Sequence, residues 1–382
     1  MKTILFILTG LSIFTAFSTY VYIRSWQALE IIGHYRMYYS IFFWMLTLLI
    51  ILSRVIRIPG AGWMDVLQII GSQWIAVLLY ASLLIVTIDV CRGLGQLLNL
   101  HHPYIHNHYL LAKLILFGIA VLILTVIFVA GYRKARYPKV TDLEITVNKP
   151  AGEMKELRIA MVSDLHLGCT AGSRFLRRVV ERINELDADV VLLAGDTFDG
   201  DSEPVIRKDM GKEFDRLKSR YGTFAISGNH EYIGERFEKG STRRALEYLR
   251  LHGITVLVDS TVTVNNSVHI TGRNDYSVPH RKPLAELIRH DSLPHILLDH
   301  QPYHLEETQQ AGIDLQLSGH THHGQMFPIH FITQKLYEKD WGYLQKGDSH
   351  FYISCGAGTW GPLVRTAGHS EIVLITMKLR SN

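Results

Sequence analysis

Almost every long apolar run in this 382-residue chain falls before residue 132, so the chain divides into two parts built for different solvents. Hydrophobic residues reach 48% and charged residues only 19%, too apolar a balance for a soluble protein of this length. Four stretches, near 3–23, 38–56, 66–90 and 109–131, are apolar and long enough to cross a bilayer core, which takes about 20 helical residues. The first could be read as a signal peptide. Its apolar run is about twice the usual core of one, no small-x-small cleavage site follows, and three further spans do, so a retained helix is expected. Residues 1–131 are therefore expected to form an all-α four-helix transmembrane region. A basic linker at 132–141 would join it to a globular domain at 142–382.

Four spans leave both termini on one side of the membrane. That side carries Lys2, Arg54, Arg57, Arg133, Lys134, Arg136 and Lys139, against Arg24, Arg36 and Arg92 opposite, with Lys113 near a helix end. The excess of cations predicts cytoplasmic termini in a multi-pass protein of the cell's inner membrane. The net charge of +4 clusters at these boundaries and reads as attraction to lipid headgroups. No basic stripe interleaved with aromatics suggests nucleic acid. Cys91, Cys169 and Cys355 are too few and too scattered for a disulfide framework and fit a reducing compartment. Asp89, near a helix end beside Arg92, reads as an interfacial ion pair. His101, His102, His106 and His108 crowd one loop, but no acidic or cysteine partner accompanies them.

From residue 140 short apolar runs alternate with segments of helical spacing, the pattern of an α/β domain whose site lies at strand C-termini. Strands are expected at Leu157–Ser163, Asp189–Ala194, Thr223–Ser227, Ile296–Leu298 and Asp314–Leu317. Helices are expected at Ser173–Leu186, capped by Ser173, and near Asp209–Arg220 and Thr242–His252. Each of those strands runs into a polar cluster: Asp164-Leu-His166, Gly195-Asp196-Thr-Phe-Asp199, Gly228-Asn229-His230-Glu231, Asp299-His300, and Gly319-His320-Thr-His322. One Asp-x-His means little, since turns use both residues freely; five such clusters in order, each closing a strand, mean much more.

Carboxylates, imidazoles and an amide oxygen are the ligands that a pair of divalent ions requires. Two ions about 3.5–4 Å apart clamp phosphoryl oxygens and acidify a water, which is what hydrolysis of a phosphate ester needs. Thiolates are absent from the cluster, which argues against a structural zinc site. Gly195, Gly228 and Gly319 let the backbone turn where a side chain would crowd the ions.

At these residues the chain resembles the calcineurin-like metallophosphoesterase superfamily. That family's signature of Asp-x-His, Gly-Asp-x-x-Asp, Gly-Asn-His-Asp/Glu, a lone His and Gly-His-x-His is complete across residues 155–325. The resemblance implies a four-layer α/β/β/α sandwich of two sheets flanked by helices. It also implies that Asp164, His166 and His322 hold one metal, that Asn229, His300 and His320 hold a second, and that Asp196 bridges them. His230 would give a proton to the leaving oxygen or stabilise charge in the transition state, and Asp199 would orient a ligand from behind. The implied cofactor is two divalent ions, manganese first, with iron, zinc or magnesium as alternatives. Gly319–Gln325 and Gly356–Pro362 are similar to a membrane-associated bacterial branch of the family, in which the first stretch reads Gly-His-Thr-His-Gly-Gly-Gln. Here His323 replaces the middle glycine, at a position expected on the rim of the site, either touching substrate or simply exposed. Members of that kind include phosphodiesterases and hydrolases of UDP-2,3-diacylglucosamine. The expected activity is hydrolysis of a phosphodiester or pyrophosphate in a lipid or lipid-linked nucleotide. The competing expectation is a transport or sensing bundle regulated by the phosphoesterase domain. It lacks support from paired broken helices or repeated intramembrane charges.

Overall fold

The computed structural model describes residues 2–55, 62–100, 105, 107–236 and 238–380. It divides into two compact units, Met1–Ala130 and Gly131–Asn382. His101, His102 and His106 of the histidine-rich loop, and Arg57, lie outside the described residues.

The first unit is helical: α1 (Lys2–Ala28), α2 (Arg36–Val55), α3 (Gly62–Leu97) and α4 (Tyr109–Arg136). Among the described residues three stretches are long and apolar enough to cross a membrane: Glu30–Leu52, Gly62–Leu97 and Tyr109–Arg136. Val21, Phe43, Ile50, Leu78 and Ala81 pack together with Trp44 and Trp74. Leu122, Val126 and Val129 on α4 are more than half exposed, an arrangement suited to lipid. Asp89 pairs chiefly with Arg24 on α1, at 2.6 Å, and accepts a hydrogen bond from Tyr20, while the expected partner Arg92 stands at 3.6 Å. The segment expected as a linker, 132–141, spans the end of one helix and the start of a strand. α4 runs on to Arg136, its last turn carrying Arg133, Lys134 and Arg136 where cations suit the helix dipole, and the first strand starts at Lys139.

The second unit holds two six-stranded sheets. One has the order β1 (Lys139–Pro150), β12 (Glu371–Arg380), β2 (Glu156–Val162), β3 (Val190–Ala194), β4 (Thr223–Ile226), β5 (Ile254–Val256). The other runs β10 (Gly342–Lys346), β11 (Ser349–Ile353), β9 (Leu315–Ser318), β8 (His295–Leu298), β7 (Val268–Gly272), β6 (Ser260–Val264). β2, β3, β4 and β5 are mutually parallel, as are β7, β8, β9 and β11, so the C-terminal ends of each set lie along one edge of its sheet.

Period-two alternation explains the layering. Ile159 and Met161 of β2 join Leu192, Ile226, Ile296, Leu298, Leu315 and Leu317 in a core shared by both sheets. Ala160 and Val162, pointing the other way, meet Phe175, Leu176, Val179 and Ile183 of α5 (Ser173–Asn184) and Leu249 of α6 (Ser241–Leu251). On the far sheet, Phe351 and Ile353 pack under Leu305 of α7 (Leu305–Gln310). The result is the four-layer sandwich expected.

Two local expectations fail. Gly172, in extended backbone, caps α5, and Ser173 is its first helical residue. The expected helix near Asp209–Arg220 is a short 3-10 turn, Met210–Arg216, entered through a left-handed Asp209. Gly211 there packs so tightly on the His252 ring that a side chain would collide with it.

Candidate metal centre

Five loops at the C-terminal ends of β2, β3, β4, β8 and β9 bring the polar residues together. Asp164, His166 and His322 offer ligand atoms within 4.8 Å of one another, and so do Asp196, His300 and His320. Asn229 adds its side-chain oxygen 2.8 Å from His320 Nδ1. Asp196 Oδ2 stands between the groups, 3.1 Å from His300 Nε2 and 3.8 Å from His166 Nε2. His230 Nδ1 and His166 Nδ1 both face Asp199 Oδ1, at 3.3 and 3.4 Å. All seven residues expected as ligands, with His230 and Asp199, thus share one site. His166, Asp199 and His230 form a third group of ligand-like spacing that the sequence did not suggest.

The backbone is bent to achieve this. Asp164, His166, Asp196, His320 and His322 all have positive φ, between 46° and 73°. Such conformations cost non-glycine residues roughly 1–3 kcal/mol each and persist where surrounding structure enforces them. At Gly195 (φ +90°) and at Gly228 an added Cβ would strike the His300 ring and the Asp196 carboxylate respectively. Both close approaches are open only to glycine.

The electrostatics suit cations. His300 Nδ1 donates to the carbonyl oxygen of Ala194 at 2.8 Å, which turns its Nε2 on the Asp196 carboxylate. Those two atoms, 3.1 Å apart in a buried site, call for a proton or a metal ion between them. His166 Nε2 and His322 Nε2 likewise approach to 2.9 Å. Burial opposes charge on His300, but Asp196 and then Asp164 outweigh it and hold the imidazole well above its usual range. Burial pushes His320 down to about 4 and carries His322 well below its ordinary value, which leaves both neutral and free to ligate. Burial also opposes ionisation of Asp196, yet His300 overrides it and keeps the carboxyl well below its usual range. This nitrogen and oxygen donor set, with His300 Nε2 buried and outside any hydrogen bond, fits two divalent ions.

Several supporting residues escaped the sequence reading. Glu231, only weakly marked by its motif, is buried and accepts hydrogen bonds from the backbone N–H of Asp196, Phe198 and Gly228 at 3.2, 2.9 and 2.6 Å. It therefore clamps two ligand loops together. Burial, reinforced by Asp196, raises its carboxyl to about 7. Glu231→Ala leaves three buried donors without an acceptor, at about 1–3 kcal/mol each. The expected result is a thermal midpoint lower by at least about 6–12 °C in detergent, the shift for the low end of that range, with Glu231→Gln falling less. Equal midpoints for alanine variant and parent would contradict this role.

Arg365 is fully buried and donates to the carbonyl oxygens of His322 and Gly358. Gln325 donates to the carbonyl oxygens of Trp360, Pro362 and Val364 and accepts from Trp360 N–H, which fixes the 360s loop beside the site. His323 is neither at the rim nor exposed. It is buried with a left-handed backbone, its Nδ1 bonded to Asp340 at 2.8 Å and its ring on Trp341. Arg273 donates to Glu307 and Asp299, and the buried Asp275 accepts from Gln301. His304 is exposed beside Glu306 and Tyr276 and joins no ligand group. A cavity of about 470 Å³ opens against Asn229 and His320, walled by Tyr232, Ser277, Val278 and Gln301.

Residues 157–324 match the family model described as calcineurin-like phosphoesterase. An uncharacterized metallophosphoesterase of Helicobacter pylori is 33% identical over 265 residues, covering 64% of this chain and 65% of its own. A metallophosphoesterase of Campylobacter jejuni is 30% identical, covering 71% and 72%. A Danio rerio protein described as a transmembrane protein with metallophosphoesterase domain is 31% identical, covering 68% and 62%. The alignment with the Helicobacter relative thus spans just under two thirds of that protein. Among solved structures, a 5′-nucleotidase precursor of Thermus thermophilus aligns at 16% identity and a TM-score of 0.35, over 58% of this chain and 55% of that one.

Proposed function

This chain belongs to the calcineurin-like phosphoesterase family, and from that premise we propose that its second unit hydrolyses a phosphodiester or pyrophosphate bond with two divalent ions. The observation that carries the proposal is the convergence of two ligand groups, Asp164, His166 and His322 and Asp196, His300 and His320, each with ligand atoms within 4.8 Å of one another. Asp164, His166 and His322 would hold one ion. Asn229, His300 and His320 would hold the other, and Asp196 would serve both. Divalent ions held there would supply charge neutralisation at the phosphoryl oxygens and a more acidic attacking water. Manganese is the first candidate for a site of this donor set, although iron, zinc and magnesium also suit it.

The chain's own residues supply the rest. Asp199 holds His230 and His166 in place through their Nδ1 atoms. His230 keeps its proton because Asp199 and Asp196 outweigh the effect of burial and raise its pKa, which suits donation to the leaving oxygen. The cavity beside Asn229 and His320 receives the organic part of the ester. Helices long and apolar enough to cross a bilayer support a membrane-anchored enzyme and, with it, a lipid or lipid-linked nucleotide as substrate. In this reading α1 completes four spans, residues 1–131 are the anchor, 142–382 are the catalytic domain, and both termini face the cytoplasm at the inner membrane.

The test is hydrolysis of bis-p-nitrophenyl phosphate by the full chain in detergent, stripped with EDTA and then supplied with Mn²⁺. Activity is expected to vanish on stripping and return with the metal. Hydrolysis that ignores EDTA, or folded protein inert with every divalent ion, would count against the proposal.

A further inference from the structure

Just beyond the Gly319–Gln325 loop the second unit turns an apolar ridge outward. Helix α8 (His330–Leu336) buries none of its residues. Phe327, Phe331, Ile332 and Leu336 are 49, 54, 57 and 68% exposed. The Phe327 and Phe331 rings lie 6.0 Å apart, with His330 against both. Single exposed apolar residues are ordinary on a protein surface, but four large ones within ten residues mark a contact site.

Two further observations say what that contact is. Phe327 N–H donates to Thr366 Oγ1, and the same loop holds the end of α4: Arg365 N–H donates to the carbonyl oxygen of Gly131, and Ser370 bonds those of Lys134 and Ala135. The ridge is therefore fixed within one loop of the point where an apolar helix of membrane-crossing length ends. Residues that favour a bilayer boundary are exposed on these elements: Tyr132, Arg133 and Lys134 in the last turns of α4, Tyr137 just after it, Lys335 on α8 and Trp360 in the 360s loop. Trp360 also lies by the site, its ring 6.3 Å from that of His230.

We propose that Phe327, Phe331, Ile332, Leu336 and Trp360 form an interfacial anchor. It seats in the headgroup–acyl boundary of the bilayer that α4 enters, with Lys335 among anionic headgroups. The mouth of the site beside His230 then opens at the membrane surface. The anchor does not depend on the proposed hydrolysis, and its test reads lipid proximity, not turnover.

The full chain, with Cys91→Ser and Cys169→Ser and the buried Cys355 left in place, would carry one accessible introduced cysteine labelled with the fluorophore NBD. Phe331→Cys, Ile332→Cys and Leu336→Cys sample the ridge. Leu251→Cys, on an 81% exposed residue just before β5 and so at the end of its sheet away from the site, serves as control. Each protein is reconstituted in vesicles of phosphatidylcholine and phosphatidylglycerol, with or without lipid spin-labelled near the headgroup. Ridge probes are expected to shift to the blue and to lose at least half of their emission to the spin label, while the control does neither. Ridge probes quenched no more than the control would overturn the proposal. So would a blue shift without quenching, which would assign the ridge to a protein contact.

Discussion

Replacing Asp196 with alanine is expected to lower phosphodiester turnover at least about 10³-fold, equivalent to about 4 kcal/mol of transition-state stabilisation. Asp196 is the carboxylate that both ligand groups share: Oδ2 faces His300 and His166, while Oδ1 accepts a hydrogen bond from His230 N–H at 2.8 Å. Its loss removes a negative ligand from a buried site and frees the loop that presents His230. Breaking a buried charge cluster by deleting one partner commonly costs about 3–5 kcal/mol, because the remaining charges stay uncompensated. Asp196→Asn separates the two effects, since the amide oxygen can still accept from His230 N–H while the charge is gone. Both variants should be nearly inactive if charge is what matters. Turnover within tenfold of the parent in Asp196→Ala would contradict the metal centre, and a biological role surviving that variant would shift attention to the helical unit.

Replacing His230 with alanine should lower kcat by about 10²–10⁴, the usual contribution of a positioned acid or base. His230 is held by Asp199 and sits edge-on to His166, with Trp360 on its outer side. As a proton donor it is dispensable for ligation, so the variant should keep its metal. The geometry also permits a rival outcome, because His166, Asp199 and His230 meet a ligand-like spacing of their own. Loss of bound metal together with turnover in His230→Ala would assign the imidazole to ligation. Retained metal with lost turnover would support proton donation.

The legible part of this protein is the part written locally. Each ligand loop follows a short apolar strand, so Asp164, Asp196, Asn229, His300 and His320 can be read directly from strand-then-polar succession. Their convergence depends on the two sheets carrying parallel strands whose C-terminal ends meet, and alternating strand and helix patterns imply that much. Contacts set by distant chain cannot be read. β1 pairs with β12, more than 200 residues away, and Arg365 reaches back to His322 from a loop with no metal motif. Glu231 lies inside a motif, yet its work of joining the β3 and β4 loops emerges only when both are folded. His323 shows the opposite failure. A histidine in place of glycine at a positive-φ position reads as a rim residue, but Asp340 and Trp341 draw it inward. The 3-10 turn at Met210–Arg216 reads as a longer helix because its apolar spacing is helical, whereas Gly211 packing on His252 decides the backbone.

The number of divalent ions bound per chain is the most direct measure of the proposed centre. It would be read by plasma mass spectrometry on detergent-purified protein loaded with Mn²⁺ and desalted, beside Asp196→Ala. Two ions per chain in the parent and fewer than one in the variant are expected. One ion or none in the folded parent, or two retained without Asp196, would contradict a paired-metal site organised around that carboxylate.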